Sequence, residues 1–117
     1  MASSVLKDKS FAFALKVVAA AQNLQHEQRE YVLSKQLLRS GTAIGALVRE
    51  GEFAQSRADF VSKMSIALKE ANETDYWIQL LAQSGYAEKA NLSALEPLCK
   101  ELIAILVSTV KTAKANA

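Results

Sequence analysis

The sequence is poor in cysteine and in the residues that make turns. Among its 117 residues are four glycines, one proline and a single cysteine, Cys99. One cysteine excludes an intrachain disulfide and a metal site built from several thiolates. So few glycines and prolines also disfavour many short strands joined by tight turns. The composition instead favours a small number of long secondary-structure elements.

Long apolar runs are absent as well. The first ten residues, MASSVLKDKS, contain no apolar core of signal-peptide length. No stretch reaches the roughly 18 uncharged apolar residues of a membrane-spanning helix, and the nearest candidate, LIAILVSTV, is too short. We therefore expect a cytoplasmic protein that does not cross a membrane.

Charge of one sign is not in large excess. The chain has 14 basic and 12 acidic side chains, which leaves a net charge of +2. That balance makes a weak case for nucleic-acid binding by a single copy. Half of the residues are apolar, so residues 1–117 are sufficient for one domain with one hydrophobic core.

Apolar residues recur at helical spacing in four segments of the chain. The predicted helices cover about residues 8–25, 30–53, 56–83 and 93–114. No strand-like alternation of useful length is present, and short connections between consecutive helices favour antiparallel neighbours. We therefore predict an all-α, up-down-up-down antiparallel four-helix bundle. The apolar positions that define the first helix are Phe11, Ala14, Leu15, Val17, Val18, Ala21 and Leu24.

Two helix starts carry the residue pattern of a capping box. Ser56 is followed three residues later by Asp59, and Ser93 is followed three residues later by Glu96. An acidic side chain at that position is favoured by the positive end of the helix dipole. Pro97 conflicts with the second match, because as the fourth helical residue it forfeits a hydrogen bond. The last helix is therefore expected to kink or to begin at Pro97.

The third helix has two neighbouring heptad stripes of different character. The stripe beside the predicted core seam mixes charged with strongly apolar side chains. A solvated face would not need Ile66, Trp77 and Leu80, whereas a pure core would not tolerate unpaired glutamates. These three residues are therefore our candidates for a subunit interface. The core seam itself consists of Phe60, Met64, Ala67, Ala71, Thr74, Ile78 and Leu81.

The glutamates of that mixed stripe have predicted partners on the second helix. If the second and third helices turn back near residue 55, Arg39 lies within one helical turn of Glu70 and Glu73. By the same spacing, Glu50 lies near Lys63. We expect an ion-pair network in which the Arg39 guanidinium satisfies one or both carboxylates and fixes the register of the two helices.

A catalytic or metal-binding role is the alternative interpretation of Glu70 and Glu73. Di-iron bundles carry a Glu-x-x-His motif on their helices. Here Glu70-x-x-Glu73 lacks the histidine, and His26, the only histidine in the sequence, lies in a predicted turn. Cys99 also has no histidine near it and is predicted to be a core residue rather than a nucleophile. We therefore predict no metal, no cofactor and no enzymatic activity.

Two segments resemble a known family. RSGTAIGALVREG, followed by DFVSKMSIALKEANETDYWIQLL, resembles the four-helix-bundle proteins encoded in intervening sequences of bacterial 23S ribosomal RNA genes. The resemblance extends from SFAFALKVV near the start to ELIAIL in the last helix. It implies a homopentamer. A related accessory protein of diversity-generating retroelements is also a pentameric bundle and binds nucleic acid and a reverse transcriptase, so the resemblance makes RNA or DNA a plausible partner.

One end of the predicted bundle is expected to gather the whole basic excess of the chain. Six basic and four acidic residues meet there, which leaves +2, and five copies in a ring would collect about +10, a charge that attracts phosphate. Ordinary solvated helix ends are the alternative interpretation, since lysines near a helix C-terminus are favoured by the helix dipole. The acidic residues are Asp8, Glu50, Glu52 and Asp59. The basic residues, our candidates for nucleic-acid contact, are Lys7, Lys9, Arg49, Arg57, Lys111 and Lys114.

Two functions remain open on this basis. The first is a homo-oligomeric accessory protein that binds nucleic acid. The second is a protein-interaction or scaffolding oligomer without a nucleic-acid role. It is favoured by a wide apolar surface that includes Trp77, Leu80 and a second stripe of the last helix, which consists of Ile103, Val107 and Val110. Salt-dependent binding to RNA or DNA distinguishes the two.

Overall fold

Four α-helices make up nearly all of the structure. It is a computed structural model that describes residues 2–86 and 90–116, with side chains described from residue 5 onward. No strand occurs within these ranges. The helices are α1 (Ala2–His26), α2 (Leu33–Glu52), α3 (Arg57–Leu81) and α4 (Leu92–Ala115).

The helices form an up-down-up-down bundle. Each helix packs against the next one in the chain, and α4 returns to pack against α1. As a result α1 and α3 occupy diagonally opposite corners, as do α2 and α4. The predicted all-α four-helix fold is confirmed. No helix of the described residues is both long enough and apolar enough to cross a membrane.

The hydrophobic core runs along the axis between the four helices. On α3 it uses the predicted seam, since Met64 and Ile78 are buried, and on α2 it includes the buried Leu37 and Ile44. α1 and α2 approach closely at Gly41, where an added Cβ atom would lie 2.8 Å from the Val17 Cγ1 atom. A larger residue at that position would therefore push the two helices apart.

The first helix is longer than predicted, and its apolar residues lie on two sides. It begins at Ala2 rather than near residue 8, and the buried Leu6 adds one turn to the side that faces the core. Phe11 and Leu15 are 53% and 59% exposed and face away from the core. The inward seam was hard to detect because it includes a polar residue, and it consists of Leu6, Ser10, Phe13, Val17, Ala20 and Leu24.

The second helix begins three residues later than predicted, because a side chain caps it. The carboxylate of Glu30 accepts hydrogen bonds from the backbone N–H groups of Val32, Leu33 and Ser34, at 3.2, 2.9 and 2.6 Å. Burial alone would raise the pKa of Glu30, but these donors outweigh it and lower that pKa below its usual value. The residue expected to open the helix instead stabilises its start from outside.

One of the two predicted capping boxes is present. The Ser56 hydroxyl accepts from the backbone N–H of Asp59 at 3.0 Å, and the Asp59 carboxylate accepts from the backbone N–H of Gln55 at 3.2 Å. The capping box predicted at Ser93 and Glu96 does not form, so that prediction is wrong.

The fourth helix begins earlier than that second box required. It starts at Leu92, after Asn91 in the left-handed conformation at φ 59°, and no side chain caps it. Pro97 lies inside the helix rather than at its start. The preceding helix, α3, ends in a wide π turn, Ala82–Tyr86, in which Gly85 has φ 96°.

Candidate functional site

The contact between α2 and α3 is organised around Arg39. Its Nη1 atom lies 3.3 and 3.4 Å from the two carboxylate oxygens of Glu70, and its Nη2 atom donates to Glu73. The structure thus brings together the three residues that hairpin geometry predicted. The Arg39 side chain remains half exposed whereas that of Glu70 is largely buried, so the network lies at the edge of the core.

Trp77 belongs to the same network, which the sequence did not reveal. Its indole N–H donates to Glu73 Oε2 at 3.0 Å. This bond and the Arg39 guanidinium lower the pKa of Glu73 below its usual value, since both stabilise the ionised carboxylate. Glutamate one turn before a tryptophan therefore satisfies the indole and allows the ring to pack against the core.

A buried hydroxyl pair reinforces the contact between α2 and α3. The hydroxyl oxygens of Ser40 and Thr74, both fully buried, lie 2.9 Å apart and are hydrogen-bonded. Sequence analysis placed Thr74 on the core seam but did not identify its partner. The signal was available, because Ser40 follows Arg39 directly and the same hairpin spacing brings it level with α3 near Thr74.

The pair between Glu50 and Lys63 also forms, at 3.3 Å. The Glu50 side chain is 56% exposed and that of Lys63 is 31% exposed. An ion pair that exposed contributes between zero and about 1 kcal/mol. It secures the base of the α2–α3 hairpin only weakly.

The interface candidates on α3 lie along one side of the protein. Ile66 is 40% exposed, whereas Trp77 and Leu80 are half-buried. Tyr76, which sequence analysis left out, is 59% exposed and meets the Trp77 ring edge-on, with the ring centroids 5.0 Å apart. The role of Ile66, Trp77 and Leu80 in assembly stays a prediction.

The predicted basic end is partly neutralised within the chain. Lys7 lies 3.4 Å from Glu52, and Lys9 lies 3.2 Å from Glu101. Arg49 stacks over the Phe11 ring, 5.8 Å from its centroid. Three of the six candidate residues for nucleic-acid contact are thus engaged by neighbours on their own chain.

The other three candidates, Arg57, Lys111 and Lys114, behave differently. None of them has an ion-pair partner among the described residues. Arg57, at the start of α3, and Lys114, at the end of α4, line one open hollow of about 400 Å³. The structure therefore gathers two of them at one corner and leaves their charges available.

A larger groove runs between α1 and α2 at the same end. Its volume is about 1010 Å³, and its floor contains small residues such as Ala14, Gly45 and Ala46. Phe11 lies at its wall, and Phe53, which is 78% exposed, closes α2 beside it. Sequence periodicity did not reveal this groove, because it does not show which apolar residues of α1 face the core.

The described residues form no metal centre. They contain no group of three or more histidine, cysteine, aspartate or glutamate residues that could hold a metal ion. Cys99 is fully buried and its thiol donates to the Ala71 carbonyl at 3.3 Å. Burial raises the pKa of Cys99 to about 12, so its reactive thiolate form is scarce at neutral pH.

Comparison with known proteins gives the same fold and a family. The chain is similar to a protein of unknown function from the S23 ribosomal protein family of Bacteroides thetaiotaomicron VPI-5482, whose crystal structure was determined at 1.70 Å. The sequences are 49% identical over 95% of this chain and 99% of that chain, with a TM-score of 0.90. No curated protein is significantly similar. A family model described as 23S rRNA-intervening sequence protein matches residues 3–108, and the chain therefore belongs to that family.

Proposed function

We propose that the protein is a non-enzymatic, cytoplasmic homo-oligomer, with five copies, that presents its basic end to RNA or DNA. The observation that carries the nucleic-acid role is the corner formed by Arg57 and Lys114, with Lys111 one turn before Lys114. These charges have no ion-pair partner in the part of the chain that the structure describes. A phosphate backbone supplies the negative charge that they lack.

The charge at this end supports binding by an assembly rather than by one copy. Opposite charges cancel within the ion pairs Lys7–Glu52 and Lys9–Glu101. They also cancel within the pair Lys63–Glu50. The remaining basic residues are Arg49, Arg57, Lys111 and Lys114, against Asp8 and Asp59, and four minus two leaves +2. Repetition around a ring multiplies that excess, and local phosphate attraction rises with clustered charge.

Fluorescence anisotropy of labelled RNA and duplex DNA, at low and at near-physiological salt, tests this proposal. We expect binding that weakens steeply with salt, because counterions are released from the phosphates. The triple variant Arg57→Gln/Lys111→Gln/Lys114→Gln should bind more weakly. Its salt slope should fall by roughly 1 for each phosphate that the variant no longer neutralises.

A control removes the same charge elsewhere on the protein. The matched variant is Arg29→Gln/Lys35→Gln/Lys69→Gln, whose residues are also exposed. Equal loss of affinity in both triple variants would show that net charge, rather than the basic end, drives binding. No binding at low salt would refute the nucleic-acid role.

A protein-interaction or scaffolding role is the second candidate. The exposed apolar side chains on α1, Phe11 and Leu15, favour it, because single-chain proteins seldom leave such side chains next to one another in water. An oligomer that fails to bind RNA or DNA at low salt would support this role.

A further inference from the structure

The groove between α1 and α2, at the basic end, combines flat rings with polar side chains. Its apolar part consists of Phe11, Phe53 and small residues, and the described residues that line it include no leucine, isoleucine, valine or methionine. The remaining lining residues are polar or charged. A groove that receives the apolar face of another helix is normally hydrophobic along its length. This groove instead suits a flat partner with a polar edge.

Phe53 supplies an open ring at one end of the groove. It is the most exposed large apolar side chain of the described residues, at 78%. Its backbone is fixed, because it caps the C-terminus of α2 and its N–H donates to the Glu50 carbonyl at 3.1 Å. The ring therefore stands in water on an anchored backbone. Rings presented in this way stack with nucleic-acid bases, because every base has a flat π face.

Arg49 supplies a second flat surface at the wall of the groove. Its guanidinium lies over the Phe11 ring, 5.8 Å from the ring centroid, and the side chain is exposed. The other cations of the lining, Lys7 and Lys63, are neutralised by ion pairs with glutamates. Arg49 has no ion-pair partner among the described residues. Guanidinium planes and aromatic rings are the surfaces on which proteins stack unpaired bases.

Hydrogen-bonding groups lie beside the Phe53 ring. Gln55 and Ser56 follow it in the turn between α2 and α3, and both line the groove. The Gln55 amide supplies donors and an acceptor. The Ser56 oxygen already accepts from the backbone N–H of Asp59, which leaves its O–H free to donate. Proteins recognise unpaired bases by such groups, which bond to the polar edge of the base.

The groove adjoins the basic corner of the proposed function. Arg57 follows Phe53 by four residues, which span at most about 14 Å. Roughly four stacked nucleotides of one strand cover that length, at about 3.4 Å each. A strand whose phosphates meet Arg57 and Lys114 therefore reaches the Phe53 ring with its bases.

We propose that this groove binds an unpaired base of single-stranded RNA or DNA, which stacks on the Phe53 ring beside the Arg49–Phe11 pair. A single strand supplies both a flat base for the groove and phosphates for the corner. In a duplex the base faces are covered by neighbouring base pairs, so a duplex meets this end through its phosphates. The inference rests on the nucleic-acid role in the proposed function and specifies which part of the strand the protein contacts.

Fluorescence anisotropy with the variant Phe53→Leu tests the base site. Leucine keeps an apolar side chain at this position but removes the π face. Binding of labelled single-stranded RNA and DNA should weaken about 5- to 150-fold, the loss typical of one stacked base. Binding of a duplex of the same sequence should be unchanged. Phe53→Trp, which restores a ring, should bind the single strands at least as tightly as the wild-type protein.

Tyr31→Leu is the matched control, because Tyr31 is a 51% exposed aromatic residue before the opposite end of α2. It should leave the affinity for single strand and duplex unchanged. Salt dependence then separates the base site from the phosphate contacts. Phe53→Leu should weaken binding at every salt concentration with an unchanged salt slope, since stacking releases no counterions. Neutralisation of Arg57, Lys111 and Lys114 should instead lower the slope.

Each result supports or overturns the base site. Unchanged single-strand binding by Phe53→Leu, with the salt slope of the wild type, would overturn it and leave the phosphate contacts of the proposed function intact. An equal loss for single strand and duplex, or an equal loss in Tyr31→Leu, would also overturn it. A changed molar mass of Phe53→Leu in light scattering would place the ring in a protein contact instead. No binding of any nucleic acid by the wild type at low salt would refute the proposed function and the base site together.

Discussion

The α2–α3 contact and the outward side of α1 use their side chains in opposite ways. Between α2 and α3, Arg39, Glu73 and Trp77 satisfy one another within a single copy. On α1, the side chains of Phe11 and Leu15 are more than half exposed, and Phe11 lies at the wall of a groove. The first region shows how one copy fixes its own helix register. The second shows that one copy does not cover all of its apolar surface.

The sharpest test of that contrast is a pair of phenylalanines on α1. Phe13 is 2% exposed on the inward seam, whereas Phe11 is 53% exposed on the other side. Phe13→Ala should lower the free energy of unfolding by about 3 to 5 kcal/mol, because it leaves a cavity in the core. Phe11→Ala should lower the free energy of unfolding of a single copy by only about 0.5 to 1 kcal/mol, because it removes a half-exposed ring and its contact with Arg49. Urea titrations at high dilution measure both, and similar losses would contradict the assigned faces.

Removal of Arg39 should have a smaller effect on the α2–α3 contact. Arg39→Ala leaves Glu70 and Glu73 without their counter-ion, but the guanidinium is half exposed. Solvent screening therefore limits the loss to about 1 kcal/mol in the free energy of unfolding. Lys63→Ala, which breaks the more exposed pair with Glu50, should cost less. An Arg39→Ala protein of full stability would show that packing alone sets the register of α2 and α3.

The smallest expected effect is a pH dependence at the start of α2. Because the fold lowers the pKa of Glu30 below its usual value of 4.5, this residue stabilises the fold fully above that value. The contribution is lost as the pH falls through the lower, folded-state pKa, since the protonated carboxyl no longer accepts from three N–H groups. Glu30→Gln should reduce the stability difference between pH 6 and pH 3, as followed by thermal unfolding. An unchanged difference would rule out a capping role for the ionised side chain.

Sequence periodicity predicted the fold and the α2–α3 contact because both depend on spacing. If α2 and α3 turn back near residue 55, counting equal numbers of residues along each helix places Arg39 within one turn of Glu70 and Glu73. The start of α2 could not be predicted from spacing. Glu30 lies outside the helix and caps it, but its position in the sequence is equally compatible with a residue of the first helical turn. The start of α4 could not be predicted for a similar reason. A left-handed residue such as Asn91 has no characteristic sequence pattern, whereas Ser93 and Glu96 match the pattern of a capping box.

Periodicity did not determine which side of α1 faces the core. Apolar residues lie on both sides of this helix, so hydrophobicity alone does not show which side is inward. Ser10 interrupts the buried side, while Phe11 and Leu15 make the exposed side apolar. The apolar residues that left the orientation of α1 undetermined are the same ones that indicate a partner on its outer face.

The molar mass of the wild-type protein, measured by light scattering at micromolar concentration, tests the central claim most directly. One copy has a mass of 12.7 kDa. The account predicts a stable assembly, with a mass of about 64 kDa for five copies. A mass of one copy at every concentration would contradict it, because the side chains of Phe11 and Leu15 would then remain exposed to water.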